Sequence, residues 1–255
     1  MTTTYLLLAV LASAQSSARD SLIAEGIRLA PMQPAAALAR FETVLAADSA
    51  DVAANWRAGI ALNDVAQPLR TRAERDRRDS LFDRAERYAR RAVRLAPGSA
   101  PALFSLGLVL GNRALTRGIK ERIRMATEIR SLALRALAAD SNHDGAHHLL
   151  GRWNYEVLTL SGVERFVAKH FLGGSVFREA SWDEGRRHLE RAVALDPVRI
   201  FHRLDLARLY VARDQPAAAR TQLDRIRELT DRFAADTMYR REAVELRAKL
   251  QQRPQ

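Results

Sequence analysis

Hydrophobic and small residues recur along this chain at helical spacing. Ala85, Ala89 and Ala92 are followed by Pro97, with steps of four, three and five residues. The same steps separate Gly185, Leu189, Ala192 and Pro197, and again Ala37, Phe41, Val44 and Ser49. Residues four and three apart lie on one face of a helix. Small side chains on that face let a second helix approach closely, and Pro, or Asp-Ser in its place, stops the helix. A facing helix is written in Leu103, Leu106, Gly107 and Leu110, after Pro97. Parts of the same pattern occur at Ala58, Gly59 and Leu62, at Leu150 and Gly151, and at Leu206, Ala207 and Tyr210.

Helix pairs repeated in this way form the tetratricopeptide (TPR) pattern, a unit of about 34 residues. The expected fold is all-α: a TPR-like α-solenoid of about five irregular helix hairpins. A helix from about Ala234 to Leu250, polar on one side, is expected to cap the array. Runs of β-branched and aromatic residues that would predict strands are nearly missing. The irregularities are a charged stretch around residues 67–80, a lengthened pair over 113–139 and an inserted hairpin at about 161–180.

The net charge is +11. It arises in mixed runs such as Arg72-Ala73-Glu74-Arg75-Asp76-Arg77-Arg78-Asp79, which predict solvated helix faces. No basic stripe interleaved with aromatics accompanies it, so no nucleic-acid partner is expected. The chain has no Cys, which excludes disulfides, thiolate ligands, a Cys nucleophile and a lipidated Cys. At the N-terminus an apolar run, Tyr5 to Ala12, ends in Ala12-Ser13-Ala14. It resembles a secretory signal over residues 1–14 with cleavage before Gln15. The expectation is an exported, periplasmic protein whose residues 15–255 form one superhelical domain. The competing reading is a first helix of a cytoplasmic chain.

One stretch is more specific. His147-His148-Leu149-Leu150-Gly151-Arg152-Trp153-Asn154-Tyr155-Glu156-Val157 leads into Leu160-Ser161-Gly162-Val163-Glu164-Arg165 and Phe171-Leu172-Gly173. Ser181-Trp182-Asp183-Glu184-Gly185 follows. Residues 140–197 resemble the regulator of microtubule dynamics family, and the signal-like N-terminus with the Ala- and Arg-rich composition suggests an exported bacterial relative. The resemblance implies a TPR-class solenoid. It also implies association with microtubules or with membrane contacts, and lipid binding as in some members.

In the repeat register, the first helices line a concave groove. Its lining positions are Trp56, Ile60 and Asn63; Phe104, Leu108 and Asn112; His148, Arg152 and Tyr155; and Phe201, Leu204 and Arg208. The groove is thus apolar toward one end and basic toward the other. An apolar patch of this kind marks a ligand or partner surface, unless the 161–180 insertion fills it. His143 and His147 stand at metal-ligand spacing, but His143 sits in a turn and no third ligand is spaced to them, so no metal and no cofactor are expected. Glu164-Arg165 suits a salt-bridged helix better than an acid–base pair, and Trp153 and Trp182 suit core positions that seat the insertion. No consistent set of catalytic roles emerges. The expected function is a non-catalytic scaffold for a protein or peptide partner. The alternative is a lipid-binding or lipid-transfer module that holds a phospholipid, or docks at a membrane surface, through the same groove.

Overall fold

The structure, a computed structural model, describes residues 2–171 and 178–252, with side chains described over 16–166 and 178–252. Among the described residues it holds twelve α-helices and no strand. In chain order they are α1 (Thr2–Leu29), α2 (Pro34–Ala47), α3 (Val52–Ala66), α4 (Arg75–Leu95), α5 (Ala100–Ala114) and α6 (Ile119–Ala139). Then come α7 (Asp144–Leu158), α8 (Gly162–Phe171), α9 (Trp182–Leu195), α10 (Ile200–Ala212), α11 (Pro216–Glu228) and α12 (Asp236–Gln251). They pair as α1/α2, α3/α4, α5/α6, α7/α9 and α10/α11, five hairpins in all, and α12 packs on the last of them.

The local reasons are those of the sequence pattern. Asp51 caps α3 by accepting the Ala54 N–H at 2.7 Å, and His143 caps α7 from its Nδ1 at 3.2 Å. Side-chain acceptors at these positions satisfy N–H groups that the first helical turn leaves open. Pro34, Pro101 and Pro216 stand in the first turns of α2, α5 and α11, where their missing N–H costs nothing. Ala85, Ala89, Ala92, Leu189 and Ala192 are all fully buried, as the spacing predicts. Helices α7 and α9 approach closely: a Cβ on Gly151 would stand 3.0 Å from the Gly185 carbonyl oxygen.

Gly107 is buried against the next hairpin, and a Cβ there would come within 2.5 Å of Leu149 Cδ2. Gly107→Leu is therefore expected to overpack the α5–α7 contact and cost about 1–3 kcal/mol. A urea unfolding midpoint no lower than that of the native chain would contradict this packing.

In the region where a hairpin was expected, 161–180, the described residues show helical residues 178–179 and, before them, α8. Helix α8 leans on α6 through the Arg122–Glu164 ion pair at 2.9 Å. Phe171-Leu172-Gly173 lies outside the described side chains. Trp153 is a core residue, and Ala180, at the end of the expected insertion, packs against its cluster. Trp153 is buried in the core of the third and fourth hairpins, and its Nε1–H donates to the Ala126 carbonyl at 2.7 Å.

The structure adds to the expectation for α12. The helix does cap α10 and α11, with Ala243 and Leu250 buried against Leu204, Leu223 and Ile226. Its leading end goes further and crosses the mouth of the superhelix to the first hairpins. The Ala234 N–H donates to the Pro31 carbonyl at 2.8 Å, Gln67 Nε2 lies 2.5 Å from the Tyr239 hydroxyl, and Arg70 pairs with Glu242 at 3.0 Å. The array thereby closes on itself.

Candidate functional site

Closure turns the concave face into an interior. One wall is built from α3, α5, α7 and α10, which contribute Ile60, Asn63, Phe104, Leu108, Asn112, His148, Arg152 and Phe201. The opposite wall is residues 233–236 and Tyr239, with Pro31 and Pro34 at one end. The space between is a cavity of about 140 Å³. A second cavity, about 90 Å³, opens from it between α5, α6 and α7 and is lined by Leu108, Ile123, Ile129, Leu149, Trp153 and Val157 among others. A third, about 410 Å³, is polar and leads outward past Arg70, Arg78, Arg208, Glu156, Asp205 and Glu242. Asn112 and Arg152 line all three.

Most of the expected groove residues are thus brought together, Tyr155 and Arg208 through the polar cavity. Two are not. Leu204 is fully buried in the α10–α12 core, because α12 covers the face of α10 that an open solenoid would expose. Trp56 lines none of these three cavities. It stands one turn before Ile60, toward the start of α3, and the Arg57 guanidinium lies 3.9 Å from its ring centroid. His148 and Asn63 do face the interior, but both are buried and already hydrogen-bonded. Among the described residues, it is the chain's own C-terminal segment that covers the groove.

The electrostatic centre is Asp205, a residue that sequence reasoning missed. It is buried on α10 between Leu204 and Leu206. Its Oδ2 lies 2.9 Å from His148 Nε2 and 3.5 Å from Arg152, and its Oδ1 accepts from Arg208 at 2.6 Å. Burial opposes its charge, yet Arg152, His148 and Arg208 hold its carboxyl well below the usual range. Burial also keeps His148 below its ordinary value and His202 down at about 4, so both imidazoles are neutral near pH 7. Each then donates its Nε2–H to a carboxylate, His148 to Asp205 and His202 to Asp144 at 3.0 Å. The signal for Asp205 was present as an acid inside an apolar run, a pattern that demands buried partners.

The two arginines expected to grip an anion differ. Arg208 is committed, to Asp205 and to Glu242 at 2.5 Å. Arg152 has acids near it, but at 3.5 Å (Asp205) and 3.7 Å (Glu156), beyond good hydrogen-bond distance. It is therefore not the free arm of the expectation. Its charge is offset by two acids, while its N–H donors remain available toward the cavity junction. Glu164 pairs with Arg122 and not with Arg152.

Asp64 also lines the inner cavity, and burial pushes its carboxyl from 3.8 up to about 6, with Asn63 and Arg199 opposing. The folded state therefore holds this proton more tightly than the unfolded chain between those values. Its contribution makes stability fall as pH rises through that window. Asp64→Asn is expected to remove this part of the slope, and equal pH 5 to pH 7 changes in urea midpoint for both proteins would refute it.

His143 and His147 do not converge. His143 is the α7 cap, while His147 Nδ1 lies 2.8 Å from His188 Nδ1. Among the described residues no group of three or more His, Asp or Glu side chains is placed to hold a metal ion.

Comparison with known proteins agrees with this architecture. The family description "Regulator of microtubule dynamics protein 1-3" matches residues 26–251. The chain belongs to that family. Regulator of microtubule dynamics protein 1 of Bos taurus is 28% identical over 153 residues, 59% of this chain and 46% of that protein. The protein of the same name from Mus musculus is 24% identical over 142 residues, 56% of this chain and 45% of its own length. The chain thus spans about half the length of the curated relatives it matches. Among solved structures, a thermophilic TPR protein of Thermus thermophilus has a TM-score of 0.61 at 16% identity, covering 89% of this chain and 98% of its own. Pseudomonas aeruginosa pilF gives 0.52 at 14% identity, over 93% and 90%. At these identities the likeness is one of fold, and the fold is a TPR-like solenoid. Within the regulator of microtubule dynamics family, the Leu149-Leu150-Gly151-Arg152-Trp153 segment now has physical roles. Gly151 admits α9, Trp153 fills the core, and Arg152 stands at the cavity junction.

Proposed function

We propose that this chain is a non-catalytic binding module whose ligand lies inside the superhelix and combines an apolar body with an anionic end. The observation that carries the reading is the meeting of two largely apolar cavities and one polar cavity at Asn112 and Arg152. Apolar walls favour a ligand by about 25 cal/mol per Å² removed from water. The Arg152 donors suit a phosphate or carboxylate. The polar cavity carries four arginines against three carboxylates, which favours an anion there. An anionic amphiphile such as a phospholipid satisfies both demands, and a purely polar ligand leaves Ile60, Phe104 and Leu108 unused. Native mass spectrometry of the purified chain should detect a co-purified anionic amphiphile, and added phosphatidic acid should displace a fluorescent fatty-acid probe. An empty protein that displaces nothing would sink the proposal.

A second reading, a protein or peptide partner on the concave face, is favoured by a separate observation. Residues 233–242 of this chain already lie there as a partner segment would.

We also propose export, with cleavage after Ala14. In support, the described packing of α1 on α2 uses Leu22, Ile23 and Leu29, downstream of that point. No helix among the described residues is long and apolar enough to cross a membrane. Gln15 is the expected first residue of protein from its native host, and an intact Met1 there would overturn export.

A further inference from the structure

We infer that the concave strip is a docking surface for a peptide of the same chemistry as the segment that covers it, and that this segment holds the surface shut in the free protein. The inference rests on the partner reading above and not on the amphiphile. The covering segment is recognised by specific contacts along its length. The Arg199 guanidinium lies over the Phe233 ring, 3.7 Å from its centroid, and 5.2 Å from the centroid of the Phe201 ring. Ala234 donates its backbone N–H to Pro31, a contact that any residue except proline could supply. Tyr239 packs 5.8 Å from the Phe201 ring and meets Gln67 through its hydroxyl. Glu242 bridges Arg70 and Arg208. The strip therefore reads an aromatic residue, a second aromatic six positions later and a carboxylate three beyond that.

The anchoring is uneven, and this makes the segment displaceable. The fully buried apolar contacts of α12 are Ala243 and Leu250 in its middle and end, with partly buried Tyr239 and Leu246 on the same face. Its leading end contributes partly buried Phe233 and Tyr239 and is fed by residues 229–235, which are not helical. Asp236 shapes that connector by accepting the N–H groups of Arg232 and Phe233 at 2.8 and 2.9 Å. Displacement on this reading takes residues 233–242 off the strip while Leu250 stays seated on α10 and α11. A partner must compete with an intramolecular segment present at high effective concentration, so the free protein is self-occluded.

The test uses the full chain and a fluorescent peptide copying residues 229–246. The native chain should show no saturable binding. The full-length Tyr239→Ala/Glu242→Gln variant, with its own segment weakened, should bind the peptide. A peptide carrying Glu242→Gln should bind roughly tenfold more weakly, as expected for losing a charge-assisted contact. Circular dichroism checks that the variant is folded. If it is not, the milder Phe233→Ala chain takes its place. Peptide failing to bind a folded opened variant would overturn the inference, as would equal binding to the native chain. Concentration-dependent dimerisation of the native chain without peptide binding would overturn it in favour of segment exchange between two copies. Retained lipid displacement alongside failed peptide binding would refute this inference while leaving the amphiphile reading intact.

Discussion

Asp205→Ala is expected to be the most destabilising single change at the site, at about 3–5 kcal/mol. Removing the carboxylate leaves Arg152 and Arg208 beside one another in the interior and takes the acceptor from His148. That loss is a large share of a typical total stability of about 5–15 kcal/mol. Chemical denaturation at neutral pH reads it directly. Asp205→Asn separates charge from shape: it can still bond His148 but leaves only Glu156 and Glu242 to offset the two guanidinium groups, so it should recover only part of the loss. The pH dependence has a definite sign. The Asp205 carboxyl is held well below its unfolded value, so its contribution is complete above about pH 4 and is lost as the pH falls further. The Ala variant should lack that acid-side loss. A variant as stable as the native chain would mean that the cluster is solvated and does not organise the interior.

Arg152→Gln is expected to have the largest effect on ligand binding. The side chain lines all three cavities, and its acids stand too far away for good hydrogen bonds. A charge-assisted hydrogen bond contributes about 1.5–3 kcal/mol, so affinity for an anionic amphiphile should drop roughly tenfold to a hundredfold. The loss should be larger at low salt, because part of it is screened charge attraction. The far-ultraviolet helical signal should be unchanged. Trp56→Ala, outside these cavities, is the matched control and should bind like the native chain. Equal affinities for native and Arg152→Gln proteins would remove the anionic end from the proposed ligand.

The same residues mark how far the sequence could be read. The helix faces were legible because their cause is local. A small residue every three or four positions, a capping acid or imidazole and a first-turn proline act within one hairpin or between neighbours. Ala85, Ala89, Ala92 and Gly107 are therefore buried where the spacing placed them. The concave lining was legible for the same reason, since Ile60, Phe104, Leu108 and Arg152 follow from the register alone. Leu204 went astray because its burial depends on which face of α10 the apolar side of α12 covers, and the spacing within either helix does not say that. Asp205 was visible as a polar residue in an apolar run, but its three partners lie on α7 and on α10 itself.

By itself, then, the chain's pattern determined an array of five hairpins, their order, the buried small residues and the family resemblance. Tertiary structure alone decided that the array closes. The contacts that close it join Pro31 to Ala234, Gln67 to Tyr239 and Arg70 to Glu242. Each is a single polar pairing between distant helices or turns, set by the accumulated rotation of the intervening hairpins. Nearest-neighbour spacing cannot encode that sum, and so an open groove on paper is an enclosed interior in the folded protein.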